Sequence, residues 1–248
     1  MASNILLPTE FQIDNVSFTD PRKNNMGGQN VLINYAGNDK SSPLVFQTPR
    51  LRCPFGLDTR ESDQGGPPKY NVNVSLAHGD KPHPGLLNFT ENIRCIDQFI
   101  KDKGVENAEQ WFGKAKSMEV IEELFRPCEK HAKEKEKWPS TLKLKLPYKD
   151  GKPSFDVYNE KKEQINLVNA DGELDLECIQ RGCEVVAIIQ CTGIWFIGKT
   201  QFGIGWKVLQ MKLYQTNKLV GYSIVDDDDD PKEENDADDE QQEEEVTV

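Results

Sequence analysis

The chain has 248 residues, 42 acidic and 30 basic side chains, and a formal net charge of −12 at pH 7. No stretch approaches the roughly 18 apolar residues that a helical bilayer span needs, and Met1–Pro8 lacks the basic and apolar regions of a signal peptide. The expectation is a soluble, intracellular protein.

The charge is unevenly placed. From Asp226 to Val248 there are 14 Asp or Glu and one basic residue, Lys232, a net of −13. Residues 1–225 keep 28 acidic and 29 basic side chains, so the body is about +1. The acidic total thus describes the tail and does not argue against a polyanionic partner for the body. A like-charged run with few apolar residues cannot bury enough surface to offset its ordering entropy, so residues 226–248 read as a disordered tail. The body, 1–225, is long enough for one large domain.

Residues 10–80 read mostly as strands. Val31–Tyr35 and Leu44–Thr48 are short apolar runs bounded by Gly, Asn, Asp or Pro. Tyr70–Leu76 alternates, with Tyr70, Val72, Val74 and Leu76 on one face. Ser62–Lys69 and His78–Gly85 read as loops. The period then changes. Ile93, Ile96, Asp97 and Ile100 predict a helix over 90–103, with Thr90 as N-cap and Gly104 as stop. Two shorter helices follow near 106–115 and 118–126, completing a helical insert over about 88–137.

Strands resume at Thr141. Leu142, Leu144 and Leu146 alternate with Lys143 and Lys145, giving one apolar and one doubly positive face. Glu184–Ile197 is a β-branched apolar run, and Trp206–Tyr214 is the next strand. Gly198–Gly205 is the expected loop between them. In the later strand, Val208 falls between Trp206 and Gln210 on one face, with Leu209, Met211 and Leu213 on the other. A last strand is expected near Leu219–Val225. Strands, a helical insert and strands again predict a mostly β fold with a helical insertion, an oligonucleotide/oligosaccharide-binding barrel (OB-fold) being the order that fits.

Six cysteines form no C-x-x-C pair and three histidines show no ligand spacing, so free thiols are expected and no metal or cofactor is. Gly193–Thr200 matches the phosphate loop G-x-x-x-x-G-K-[ST]. A true phosphate loop needs small residues inside it and a helix starting at the Lys-Thr. Here the interior is Ile-Trp-Phe-Ile and the continuation is Gln-Phe-Gly-Ile-Gly-Trp, a strand pattern. A nucleotide hydrolase is therefore the weakest of three readings, and no other catalytic motif is present.

Basic and aromatic residues gather elsewhere. Arg126–Lys152 carries nine basic and four acidic residues, with Trp138, Tyr148 and Phe155 in or beside it. Lys199, Lys207 and Lys212 accompany Trp195, Phe202, Trp206 and Tyr214, while Arg50 and Arg52 lie in a separate Pro-Arg-Leu-Arg motif and Lys69 ends the Ser62–Lys69 loop. This mixture suits single-stranded nucleic acid: cations track the phosphates and aromatic faces stack the bases. At least one of Trp195 and Trp206 is expected in the core. The alternative reading is an acidic-tailed chaperone or scaffold for basic proteins, in which the tail does the binding.

Gln47–Gly56, the Trp111-Phe112 region, Trp195–Lys199 and Phe202–Lys207 together resemble single-stranded DNA-binding proteins of nucleocytoplasmic large DNA viruses, notably those of algae. These are distantly similar to the tail-bearing counterpart of T-odd phages. The resemblance implies an OB-fold with an inserted helix, no enzymatic activity, and coating of single-stranded DNA in viral replication, recombination and repair in the host cytoplasm or nucleus. It implies DNA contacts from Arg50, Arg52, Lys143, Lys145 and the hairpin's Trp195, Lys199, Phe202, Trp206, Lys207 and Lys212; the composition adds Lys69 and Trp138. It also implies that the tail, through Asp226, Asp227, Asp228, Asp229, Asp230, Glu243, Glu244, Glu245 and Val248, meets the viral DNA polymerase and helicase-primase. A homodimer is among the expected assemblies. The tail ends Val246-Thr247-Val248 where the phage pattern ends in an aromatic residue.

Overall fold

The computed structural model describes residues 5–23, 28–37, 40–61, 68–77, 83–134, 137–149, 151–170 and 174–215. The chain divides into two units, Met1–Thr216 and Asn217–Val248, and the description concerns the first. The tail at 226–248, with its expected disorder, and the expected strand at Leu219–Val225 lie outside the described residues.

The β-branched run Glu184–Ile197 and the segment Gln201–Tyr214 pair as one antiparallel hairpin of two 14-residue strands. The first strand has the expected bounds, and the second begins five residues before its expected start at Trp206, because residues 201–205, expected as a loop, continue the ladder. The hairpin is the middle of a sheet. Its hydrogen-bonded path runs Ile5–Leu6, Val45–Gln47, Glu184–Ile197, Gln201–Tyr214, Thr141–Leu146, Lys69–Ser75 and Leu57–Arg60. Val16–Phe18, Ile33–Gly37 and Lys40–Pro43 form a separate three-stranded sheet. Mostly β structure interrupted by helices is thus what the chain adopts.

Alternation decides which side chains the sheet buries. Leu142, Leu144 and Leu146 are buried and Val72 and Val74 lie beside them, as their period predicts. The hairpin departs from strict alternation twice. Register shifts fall between Ile188 and Ile189 and between Cys191 and Ile194. At the first, Leu209 is the extra residue, so Trp206 and Val208 and then Met211 and Leu213 all face the core. The expectation of Trp206 and Met211 on opposite faces is corrected by that bulge, since one inserted residue reverses the side-chain phase.

Helix α1, Pro84–Glu106, begins before the expected position. Pro84 suits the first helical position, and His83 Nδ1 accepts the Gly85 N–H at 3.1 Å. Thr90, the expected cap, is buried inside the helix, where its hydroxyl donates to the Leu76 carbonyl at 3.2 Å. Leu86, Phe89, Ile93, Ile96 and Ile100 bury one face. Gly104 does not stop the helix. A Cβ there would lie 3.3 Å from the Phe202 ring and 3.4 Å from Ile121, so glycine serves close packing. Helices α2, Ala108–Phe112, and α3, Met118–Leu124, fall inside their predicted windows.

Two carboxylates bind α1 to the strands. Glu129 accepts from Arg94 Nε at 2.7 Å and Nη2 at 3.0 Å, and from Ser140 at 2.6 Å. The Arg94 guanidinium holds the Glu129 carboxyl below its usual range against an opposing burial effect. Asp97 accepts the Cys128 N–H at 2.8 Å through Oδ2, while Oδ1 has no partner among the described residues. Burial raises its carboxyl to about 6, partly offset by the Cys128 hydrogen bonds and Lys101, with Glu129 adding to the rise.

A carboxyl whose folded-state pKa is raised keeps its proton in the folded chain after the unfolded chain has lost it. Ionising Asp97 therefore lowers stability as pH rises from about 4 to about 6, by on the order of 3 kcal/mol. Asp97→Asn should match the wild type near pH 4, exceed its stability near pH 8, and remove this part of the slope. Urea melts of both proteins across that range check it; parallel pH profiles would contradict it.

Candidate nucleic-acid interface

The hairpin's second bulge decides which tryptophan reaches the surface. Val185, Ala187, Ile189 and Cys191 are buried in alternation. Continued, that phase would send Trp195 inward and Phe196 outward. Instead Thr192 and Gly193 stand opposite Gly205, one residue too many, and Thr192 Oγ1 donates to the Gly205 carbonyl at 3.1 Å. The phase reverses: Ile194 and Phe196 are buried, and Trp195 and Ile197 turn to the other face. Gly193 has φ +90°, and a Cβ there would fall 2.5 Å from the Val31 carbonyl oxygen. Only glycine satisfies both conditions.

Glycines opposite let side chains lie flat on the later strand. A Cβ on Gly203 would sit 2.9 Å from Trp195 Cζ2 and 2.6 Å from the Arg126 carbonyl oxygen. A Cβ on Gly205 would sit 3.3 Å from Lys145 Nζ. The half-buried Trp195 indole and the Lys145 ammonium therefore rest on adjacent bare stretches of backbone. Lys145 pairs in register with Lys207 on one side and Asn71 on the other, and Asn71 with Asp58. The next row on this face holds Lys143 with Asn73, and Lys69 pairs with Arg60.

The cations crowd one another. Burial pushes the Lys145 ammonium down from its ordinary pKa, and Lys69 adds to the effect. Lys143 is pushed down by burial and then by Arg60 and Lys130, against the attraction of Asp58. Asp58 meets Lys143 Nζ and Arg60 Nε, each at 3.5 Å. Among the described residues, Asp58 is the one carboxylate paired with these cations, which leaves them short of negative charge.

The other expected contacts divide. Phe202 and Trp206 are core residues, 0% and 1% exposed, and the expectation that they touch a ligand is corrected. Phe202 packs on Phe112, Phe125 and Phe196 with ring centroids 5.1, 5.2 and 6.0 Å away. Lys199 sits at the hairpin tip, its Nζ against Gly113 at the end of α2, apart from the sheet-face cations. Arg50 pairs with Glu184 at 2.6 Å and covers the Tyr214 ring at 4.0 Å, and Lys212 reaches the same ring at 4.9 Å. Arg52 is exposed opposite Glu184, and Trp138 is 60% exposed in the segment before Thr141. The structure therefore brings together Lys69, Lys143, Lys145, Lys207 and Trp195. It adds Asp58, Arg60, Asn71 and Arg126, which the sequence reading did not single out. Asn71 was legible as the polar partner of the Tyr70–Leu76 alternation; Asp58 and Arg60 lie in a four-residue strand with no apolar period.

The phosphate-loop match resolves into strand and turn. Its first glycine, Gly193, forms the bulge. Its second, Gly198, has φ +56° and precedes Lys199 in a turn closed by the Thr200 N–H to the Ile197 carbonyl at 3.2 Å. Gln201–Tyr214 then continues as strand, so no helix N-terminus faces Lys199 and Thr200.

The chain belongs to a family of unknown function, DUF5871, which matches it over residues 86–226, more than half of its length. No curated protein matches it. Among solved structures it is similar to gp2.5, a single-stranded DNA-binding protein encoded by bacteriophage T7, at 11% identity and a TM-score of 0.44, covering 73% of this chain and 91% of the phage protein. It is also similar to the single-stranded DNA-binding protein of bacteriophage Enc34, solved in complex with single-stranded DNA, at 15% identity and a TM-score of 0.38, covering 82% and 98% of the two chains.

Gly193→Ala should lower stability by about 2 kcal/mol or more, since it combines a left-handed backbone with a backbone clash. A thermal melt checks this, and an unchanged midpoint would contradict the role given to the bulge.

Proposed function

We propose that this protein binds single-stranded DNA without reading its sequence, on an OB-type barrel whose outer sheet face forms the binding surface. The observation that carries the reading is the half-buried Trp195 indole laid on Gly203, next to Lys145 laid on Gly205 and followed by Lys207. An aromatic plane beside a row of ammonium groups can stack a base and hold the neighbouring phosphates, and neither contact depends on base identity. The role is coating rather than catalysis, in viral DNA replication, recombination and repair, inside the host cell. The acidic tail competes with DNA for the cationic face and, once displaced, recruits replication proteins such as a DNA polymerase and a helicase-primase.

Oligo-dT titrations followed by tryptophan fluorescence test the reading. The wild type should show quenching, most of which is lost in Trp195→Phe and retained in Trp206→Phe. Trp195→Ala should weaken binding by about 1–3 kcal/mol. Lys145→Ala should reduce the salt slope by about 0.7, the loss of one phosphate contact on a single strand. Absence of dT binding in the wild type would sink the proposal.

Removing residues 226–248 should tighten binding to oligo-dT, most at low salt, where a net charge of −13 is least screened. Equal or weaker affinity of the truncated protein would dismiss tail competition while leaving the sheet-face site in place.

A further inference from the structure

Beside the lysines, the cationic face holds a buried polar side chain with an unpartnered donor. Asn71 is 4% exposed, and its Nδ2 has no hydrogen-bond partner among the described residues. A buried amide donor left unmade costs free energy comparable to a lost hydrogen bond. Asn71 nevertheless stands in the middle of the face, between Asp58 and Lys145 in register and in the same strand as Lys69 and Asn73. An apolar residue would be cheaper there if the position served packing alone.

Asp58 is the second irregularity. It is the acid that the surrounding cations share, and it holds Arg60 and Lys143 only at 3.5 Å. Its side chain is 25% exposed and that of Lys143 23%, so both lie low on the face, while Arg60 is 66% exposed. Lys69 and Lys130 add positive potential at Lys145 and Lys143 respectively. A carboxylate in such surroundings does what a bound phosphate oxygen would do. It lowers the repulsion among ammonium groups, but it lies too far from any of them for a good charge-assisted hydrogen bond.

We infer that Asn71, Lys143 and Lys145 form a phosphate seat, and that Asp58, which holds Lys143 only loosely, yields that ammonium to an incoming phosphate group. The Asn71 amide donates to a phosphate oxygen, the two ammonium groups supply the charge, and Asp58 is a built-in competitor that weakens binding. The inference rests on the proposed DNA-binding reading for its ligand, a phosphodiester of the DNA backbone. A free phosphate has the same chemistry, and the experiment separates the two.

The test uses the full chain and two variants, Asp58→Asn and Asn71→Leu, with fluorescein-labelled oligo-dT followed by anisotropy at several salt concentrations. Asp58→Asn should tighten binding about fivefold at low salt, the loss of one loosely paired charge. Asn71→Leu should weaken binding about tenfold, the loss of a hydrogen bond to a charged group, with the salt slope unchanged because the amide releases no counterion. Weaker binding in Asp58→Asn, or unchanged affinity in both variants, overturns the seat. In parallel, inorganic phosphate and, separately, oligo-dT are titrated into the ¹⁵N-labelled wild type and Asp58→Asn while the Asn71 side-chain amide signals are followed, a measurement independent of whether Asn71→Leu folds. If dT does not bind but phosphate shifts these signals, with a lower midpoint in Asp58→Asn, the DNA reading fails and the seat stands as a free-phosphate site. If neither dT nor phosphate shifts them, the seat is rejected, whatever the affinity of dT for the rest of the face.

Discussion

One inserted residue governs the surface of this protein. The bulge at Thr192-Gly193 reverses the side-chain phase in the last turn of the central strand, and every later residue depends on that reversal. Without it Trp195 would enter the core and Phe196 would leave it. The bulge in turn depends on Gly193, which combines φ +90° with an approach to the Val31 carbonyl that no Cβ permits. A backbone requirement at one residue is thus converted into an exposed aromatic plane two residues later.

The charges follow a comparable logic. The strand Thr141–Leu146 must bury three leucines, so its lysines are driven to the opposite side, where Lys207 from the parallel neighbour meets them. Burial on one face therefore creates repulsion on the other. Among the described residues Asp58, at the sheet's far edge, is the acid paired with these cations, while the two-pronged pair of Arg94 with Glu129 fastens α1 to the strands. Positive charge gathered on one side of a sheet raises the local concentration of anions there.

Much of this was legible where a single period runs unbroken. Lys143 and Lys145 could be assigned to an outer face because Leu142, Leu144 and Leu146 alternate without interruption. The helical insert was visible because Ile93, Ile96 and Ile100 keep helical spacing. The failures fall where a local signal has two meanings. Gly104 reads as a helix stop, but its lack of a side chain serves Phe202 and Ile121; Thr90 reads as a cap, but its hydroxyl serves the Leu76 carbonyl. Gly193 and Gly198 read as a phosphate loop, yet one bends a strand and the other turns a hairpin. Phe202 and Trp206 read as stacking candidates because aromatic residues on an alternating strand do not declare which face they occupy once a bulge intervenes. Asn71 was legible as an outward polar position of the Tyr70–Leu76 alternation, but not its significance, which lies in an amide donor with no partner among the described residues.

The tip of the hairpin is clamped between aromatic rings. Trp111 and Phe112 of α2 meet Phe196 at 5.8 and 5.7 Å, and Phe125, just after α3, closes on Phe202. So long a hairpin would otherwise be free to sway, and Trp195 with it. Held in this way, the indole already has the position in which a base would find it. The ordering cost of an encounter then falls almost wholly on the ligand. A pliant, weakly stacked strand such as a thymine tract has little self-association to give up, whereas an adenine tract must first unstack. On the proposed reading, such a surface would rank sequences by their stiffness even without base readout.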